Sequence, residues 1–285
     1  MTHTHYARTS FFLMLFIFTL SAAVWAIEEN DCITVHKNGS INWTTGTVQA
    51  TGKAAPSENP LNDSPDAILI QATLDARQNL IHILMEIAFD TSDRDNFLPG
   101  DPIIAGIEKQ AMDATLTHQH YTSDRAMAVT IETTIFGGFL QLVLPEDIQE
   151  IIGLKIIPQK DKYHRGARVR HEPYTGLILD ARGIDFKPTI TPSVVSEQGE
   201  EIYSARFISR EYAVQAGVCR FSCTLDPVMN SRRTGSNPLV IRGLRKGGET
   251  NHTIVISRSD AVTIERTAER HLFMRKCQVV IVLDQ

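Results

Sequence analysis

Hydrophobic and polar positions change period several times along the chain, and each change marks an element. From Ser40 to Gly52, Ile41 and Trp43 alternate with polar residues before Thr45-Gly46, and Val48 and Ala50 do so after it. Alternation of period two about a glycine turn predicts a β-hairpin with one wet face. Ala54 to Asp63 is polar and contains proline, which predicts a loop. Ser64-Pro65-Asp66 then opens the longest helix, with serine at the N-cap, proline at the first position and an acid in the first turn. Ile70, Leu74, Ile81, Leu84 and Ala88 recur at helical spacings and predict one apolar stripe laid on a sheet. Asp101-Pro102 repeats the start signal for a shorter helix to about Lys109. Leu116, His118 and His120 follow, expected on one face of a strand. After a turn at Ser123-Asp124, Met127, Val129, Ile131 and Ile135 give another strand, and Pro145 to Ile152 reads as one more helix. The order is β-β-α-α-β-β, an antiparallel sheet with helices on one face.

A second set of elements begins at Tyr174. Leu177-Ile178-Leu179 is a short apolar run between a polar turn and Asp180-Ala181-Arg182-Gly183, which predicts a buried strand left by a tight turn. Pro188 and Pro192 break the next stretch into edge-like pieces, and Gln198-Gly199 turns into Glu201-Ile202-Tyr203. A short helix is expected from Ser209-Arg210-Glu211 to about Gln215. Pro238 to Leu244 and Thr253 to Ile256 read as strands about a turn at Gly247-Gly248. Ser259 is expected to cap a helix from Asp260 to about Arg270, with Ala261, Ile264 and Ala268 in register. Val279 to Leu283 closes the chain as a β-branched strand that needs cover on both faces. The fold class expected is α+β, in two small domains at 27–153 and 173–285. Each is a mixed or antiparallel sheet with helices packed on it.

Charge and composition add the compartment. The first 26 residues carry one basic residue, Arg8, then an almost unbroken apolar run from Phe11 to Val24 and a small-residue site at Val24-Trp25-Ala26. That is the layout of a cleaved signal peptide, with an uncleaved N-terminal anchor as its rival. The run is short for a membrane span of about 20 residues, and none later approaches that length. Cleavage moves the formal charge from −5 to −6, because Arg8 leaves and no acid leaves with it. A mildly acidic protein gives no reason to expect nucleic acid as a partner. Glu29-Asn30-Asp31 before Cys32 is unlike a lipobox, so no lipidation is expected. Residues 154–172 form a basic linker, in which Lys155, Lys160, Lys162, Arg165, Arg168 and Arg170 face only Asp161 between Lys155 and His171. A solvated loop explains such a run. The sharper reading is a patch, above all Lys160, Lys162, Arg165, Arg168 and Arg170, that binds an anionic polymer such as lipopolysaccharide or peptidoglycan.

Few residues suggest chemistry. His118-Gln119-His120 sets two imidazoles on one strand face but lacks a third ligand at motif spacing, so no metal site is assigned. Asp180 and Arg182, with Gly183, read as a structural turn rather than as an acid and a base. No Gly-x-Ser-x-Gly elbow, phosphate-binding glycine loop, dinucleotide fingerprint or Cys-x-x-Cys occurs. Four cysteines allow three pairings. Cys219 and Cys223 in one strand would stand about 13 Å apart, too far to join. Cys219 or Cys223 with Cys277 is the expected disulfide, and free buried thiols are the alternative. Asn-x-Ser/Thr sequons stand at Asn38, Asn42, Asn62 and Asn251.

The run from Tyr174 to Gly183, followed by Lys187-Pro188, Ser193 and Gly199-Glu200-Glu201-Ile202-Tyr203, resembles the lipoprotein-20 family of Gram-negative envelopes. That family includes flagellar basal-disk and flagellar-assembly relatives. Asn237 to Val240, Ile254 to Ala261, Cys277 to Val282, Gly46 to Gly52 and Asp75-Ala76-Arg77-Gln78-Asn79-Leu80 extend the likeness over most of the chain. The resemblance implies small α+β assembly modules in a bacterial periplasm, where the sequons would be inert, and brings no active site or cofactor with it. The function expected is non-enzymatic: a periplasmic structural protein, homo-oligomeric or joined to envelope proteins in a ring or disk. Binding of an anionic envelope polymer and an uncharacterised enzyme activity are the alternatives.

Overall fold

A computed structural model describes residues 31–56, 64–89, 101–122, 126–144, 172–229, 231–248, 252–267 and 270–284. The signal segment, the turn at Ser123-Asp124, the helix expected from Pro145 and the basic run, with Lys160, Lys162, Arg165, Arg168 and Arg170, lie outside these residues. The fold is α+β. It holds two sheets, one antiparallel and one mixed.

The antiparallel sheet has five strands. They are β1 (Ile33–His36), β2 (Gly39–Asn42), β3 (Thr47–Ala54), β4 (Thr115–Tyr121) and β5 (Met127–Thr134), in the order β1-β2-β3-β5-β4. The expected hairpin is β2–β3, and β1 adds a strand before it. Helix α1 (Pro65–Ala88) covers one face, joined by α2 (Pro102–Met112), which runs a turn past the expected end at Lys109. Both helices start where their caps predict. The Ser64 hydroxyl accepts from the Ala67 N–H at 3.2 Å, and Asp101 accepts from the Ile103 N–H at 2.8 Å.

The buried face of α1 differs from the expected stripe. Ile68, Ala72, Ala76, Leu80, Ile83 and Leu84 face the core, whereas Ile70 is 62% exposed and Leu74 43%. Contact distance explains the difference. A Cβ at Gly52 of β3 would run into the backbone of Ala72 and Ala76, so helix and strand touch where neither carries a bulky side chain. The run 68-72-76-80-84 keeps a four-residue period through that crossing, and the larger residues beside it stay outside.

Asp75 and Asn79 complete the fit. β2 pairs with β3 as far as Ala50, and the Thr51 N–H still donates to the Asn38 carbonyl at 2.8 Å, which leaves the Thr51 carbonyl and the Lys53 N–H to find partners beyond the ladder. The Lys53 N–H donates to Asp75 Oδ2 at 2.8 Å, and Asn79 Nδ2 donates to the Thr51 carbonyl at 3.0 Å. Asn38 Nδ2 donates to Asn79 Oδ1 at 2.9 Å, and Arg77 Nη2 reaches the Met112 carbonyl at 3.0 Å. The segment Asp75 to Asn79 thus clips half of a strand edge that would otherwise stay unpaired.

The second sheet has seven strands: β6 (Gly176–Asp180), β7 (Ser193–Ser196), β8 (Glu201–Tyr203), β9 (Arg220–Ser222), β10 (Pro238–Gly247), β11 (Thr253–Ile256) and β12 (Val279–Val282). Their order is β8-β7-β11-β10-β6-β12-β9. β10, β6, β12 and β9 are mutually parallel, β11 is antiparallel to β10, and β8 is antiparallel to β7. β6 and β12 are interior strands, paired on both sides, with almost every side chain buried, as their unbroken apolar runs require. Leu177, Leu179, Val279 and Ile281 enter the main core, while Ile178, Val280 and Val282 pack with Val228 in a small second cluster.

Short helices complete the fold: α3 (Gly138–Val143), which packs on α2, and α4 (Arg210–Ala216), α5 (Arg258–Arg266) and α6 (Arg270–Arg275) in the second half. The cap of α5 is Ser257, not Ser259. Its hydroxyl accepts from the Asp260 N–H at 3.1 Å, and the helix ends at Arg266 rather than Arg270. α3, α6 and β9 are too short to show a period in the sequence.

The residues assigned to the two expected domains form one sheet each, and their cores are continuous. Arg210 Nη1 and Nη2 donate to the carbonyls of Leu144 and Gln141 at 2.9 and 2.7 Å, at the end of α3. Arg220 Nη1 donates to the Thr44 carbonyl at 3.0 Å, with its guanidinium 4.0 Å from the centre of the Phe136 ring. Trp43 meets Phe221 edge to face at 5.8 Å.

Candidate functional site

Parallel strands place their carboxyl ends together, where open sheets of this kind hold ligands. Asp180 stands at that end of β6. Its Oδ1 accepts from Arg182 Nε at 2.7 Å and from the Arg182 backbone N–H at 3.2 Å, and Oδ2 accepts from Nη2 at 2.7 Å. The Gly183 N–H donates to Asp284 Oδ2 at 2.7 Å, and Gly183 has φ +80°, which glycine adopts without strain. The hydrogen bond from Arg182 holds the Asp180 carboxyl below its ordinary range, and the same contact raises the Arg182 guanidinium. A carboxylate that accepts three hydrogen bonds from its neighbour is ionised and occupied. It is poorly placed to take a proton from a substrate, and the pair fixes the turn that leaves β6.

The cysteines pair differently from the expectation of Cys219 or Cys223 with Cys277. Cys223 joins Cys32, with Cα atoms 5.4 Å apart across 191 residues. β9 separates Cys219 from Cys223. Cys223 follows the strand and meets the start of the antiparallel sheet, while Cys219 precedes it and turns into the core. Cys219 and Cys277 remain buried thiols, pushed up to about 12 by burial. So few thiolates form at neutral pH that neither is suited to nucleophilic or redox work. Beside them Tyr203, fully buried, donates to the Val218 carbonyl at 2.6 Å, and burial drives its hydroxyl upward. Arg233 donates to the carbonyls of Val279, Ala216 and Gly217 at 3.0, 2.8 and 2.7 Å. Every donor it uses there goes to backbone, as in a structural strut.

A cavity of about 20 Å³ lies where the sheets meet, lined by Trp43, Ile135, Phe136, Thr189, Gly217 and Phe221. It has room for about one water molecule.

The remaining candidate is the edge of the antiparallel sheet. All seven residues of β4 are exposed, and the strand ends its sheet among the described residues. A register shift between Leu116 and His118 changes how its side chains are shared out. Leu116 opposes Ile131 on the helix-covered face, whereas His118 and His120 oppose Thr130 and Ala128 on the other. Leu116 therefore does not share a face with the histidines, because a bulge restarts the alternation. On the histidine face the Thr51 and Thr130 hydroxyls meet at 3.3 Å, and Gln49 Nε2 donates to Glu132 at 2.8 Å. Among the described residues no group of three His, Cys, Asp or Glu side chains could hold a metal ion. No helix among them is long and apolar enough to cross a membrane.

Comparison with known proteins bears on the second half of the chain. Residues 176–285 match the family model described as Treponema pallidum Tp0624, second domain. That stretch begins at β6 and holds the whole seven-stranded sheet. No curated protein matches the chain.

Proposed function

We propose that the protein is a non-enzymatic structural component of a bacterial periplasm that assembles through the open edges of its antiparallel sheet. Its product is a homo-oligomer or a larger envelope ring or disk. The observation that carries this reading is β4, Thr-Leu-Thr-His-Gln-His-Tyr, exposed along its whole length. It contains no Lys, Arg, Asp, Glu or Pro, the residues that usually guard an edge strand from pairing with another chain. The opposite edge, β1, carries Ile33 at 51% and Val35 at 79% exposure. Strand addition at such edges supplies affinity through the main chain and needs no pocket. The side chains that first suggested chemistry, Asp180 and Arg182, satisfy each other.

The lipoprotein-20 likeness belongs to the same proposal, with its flagellar relatives as the finer placement. Two of its motifs have mechanical roles here. Asp75 to Asn79 clips β3, and Asp180 to Gly183 fixes the exit of β6. Size-exclusion chromatography with light scattering tests the proposal. The expected result is mass above the monomer that grows with concentration. A strict monomer at all concentrations, with no envelope partner captured by crosslinking, rejects it. Neighbouring genes for flagellar parts would support the flagellar placement, and their absence would remove it.

A further inference from the structure

His118 and His120 alternate along an extended strand, so their side chains leave one face about 7 Å apart. Two imidazoles at that spacing can reach one metal ion, and both are exposed. A tetrahedral ion held by nitrogen wants four ligands. One chain supplies two. The missing pair is available from a second β4 laid antiparallel across a dyad at Gln119. His118 of each copy then opposes His120 of the other, with Cβ atoms about 5 Å apart. Four imidazoles gather on one face, and the two five-stranded sheets continue into a single sheet of both copies. On the other face Leu116 and Tyr121, exposed at 41% and 58%, gain a neighbouring strand to cover them. The absence of charge along β4 removes any like-charge penalty for meeting its own copy.

We infer that β4 is a metal-gated dimer edge. A divalent ion of the zinc class binds His118 and His120 of two copies and closes the strand pair. The inference rests on the proposed assembly through sheet edges and names what controls it. Such a site is isologous, so each ion serves two chains and growth at this edge stops at the dimer.

The test uses the purified protein with EDTA, with added Zn²⁺, and with Co²⁺ as a spectroscopic probe. The inference expects a monomer at this edge in EDTA and a dimer on adding Zn²⁺, at one ion per two chains. The Co²⁺ form should show the visible bands of tetrahedral nitrogen coordination. His118→Gln with His120→Gln abolishes the Zn²⁺ response while circular dichroism stays unchanged. Gln119→Lys places two ammonium groups against each other at the dyad and prevents the dimer with both histidines kept. Assembly that ignores both EDTA and the double histidine variant overturns the metal gate and leaves edge assembly standing. A monomer under all conditions overturns both. One Zn²⁺ bound per monomer, or a Zn²⁺ response that survives the double variant, overturns the shared site alone.

Discussion

The two sheets solve the problem of their backbone edges in opposite ways. The seven-stranded sheet keeps its most apolar strands, β6 and β12, away from its edges and covers both faces. Its edges are short, three residues each in β8 and β9, and β9 is anchored by the disulfide that follows it. The five-stranded sheet is covered by α1 and α2 on one face and leaves the other polar. Its last strand is seven residues long and exposed throughout. The first arrangement concentrates stability and the second concentrates accessible hydrogen-bonding groups. Interaction surfaces belong with the second, because a strand can recruit a partner only where its own ladder is unfinished.

Substitutions can break that contrast, and the largest effect is expected where the sheets are tied. Cys223→Ser should destabilise the protein by about 5 kcal/mol on the chain-entropy account of a loop this long. Denaturant unfolding with and without reductant measures it: reductant should lower the wild-type midpoint and leave the variant unmoved. Next comes a pair. Leu179→Ala at the centre should cost about 2–5 kcal/mol, and Val35→Thr at the exposed edge less than about 0.5 kcal/mol. Equal losses would erase the distinction between the sheets. Gly52→Val should cost about 1–3 kcal/mol by forcing α1 off β3, read as a lowered melting temperature.

The smallest effect concerns the turn after β6. Asp180 is held below its unfolded value of 3.8, so its contribution is present above that value and fades as pH falls through the lower folded one. Asp180→Asn should lower the midpoint at pH 7, and the difference from wild type should narrow on acidification. A constant difference would mean that the Arg182 contact does not stabilise the ionised form.

Local signals were legible in the sequence and contacts across the fold were not. Ser64-Pro65-Asp66 set the start of α1 because a cap is made within one turn. β6 and β12 announced themselves by unbroken apolar runs, which only central strands tolerate. The inward face of α1 was hidden because alanines, Ala72 and Ala76, stand at its middle, and only Gly52 on another element explains why small residues sit there. The division of β4 between its faces depended on a bulge that no alternation pattern marks. The true partner of Cys223 lay 191 residues away, a separation over which spacing carries no information.

The Cys32–Cys223 bond has a consequence for a chain that is cut. Both helices on the antiparallel sheet, all five of its strands and all of residues 145–171 lie between the two cysteines. A protease that cleaves once anywhere in that interval produces two polypeptides that remain one molecule. On a gel the cut protein would run near its intact size until reductant is added, and then separate into two bands. Apparent resistance to proteolysis in an oxidising compartment would thus partly measure a covalent ring rather than an uncut chain.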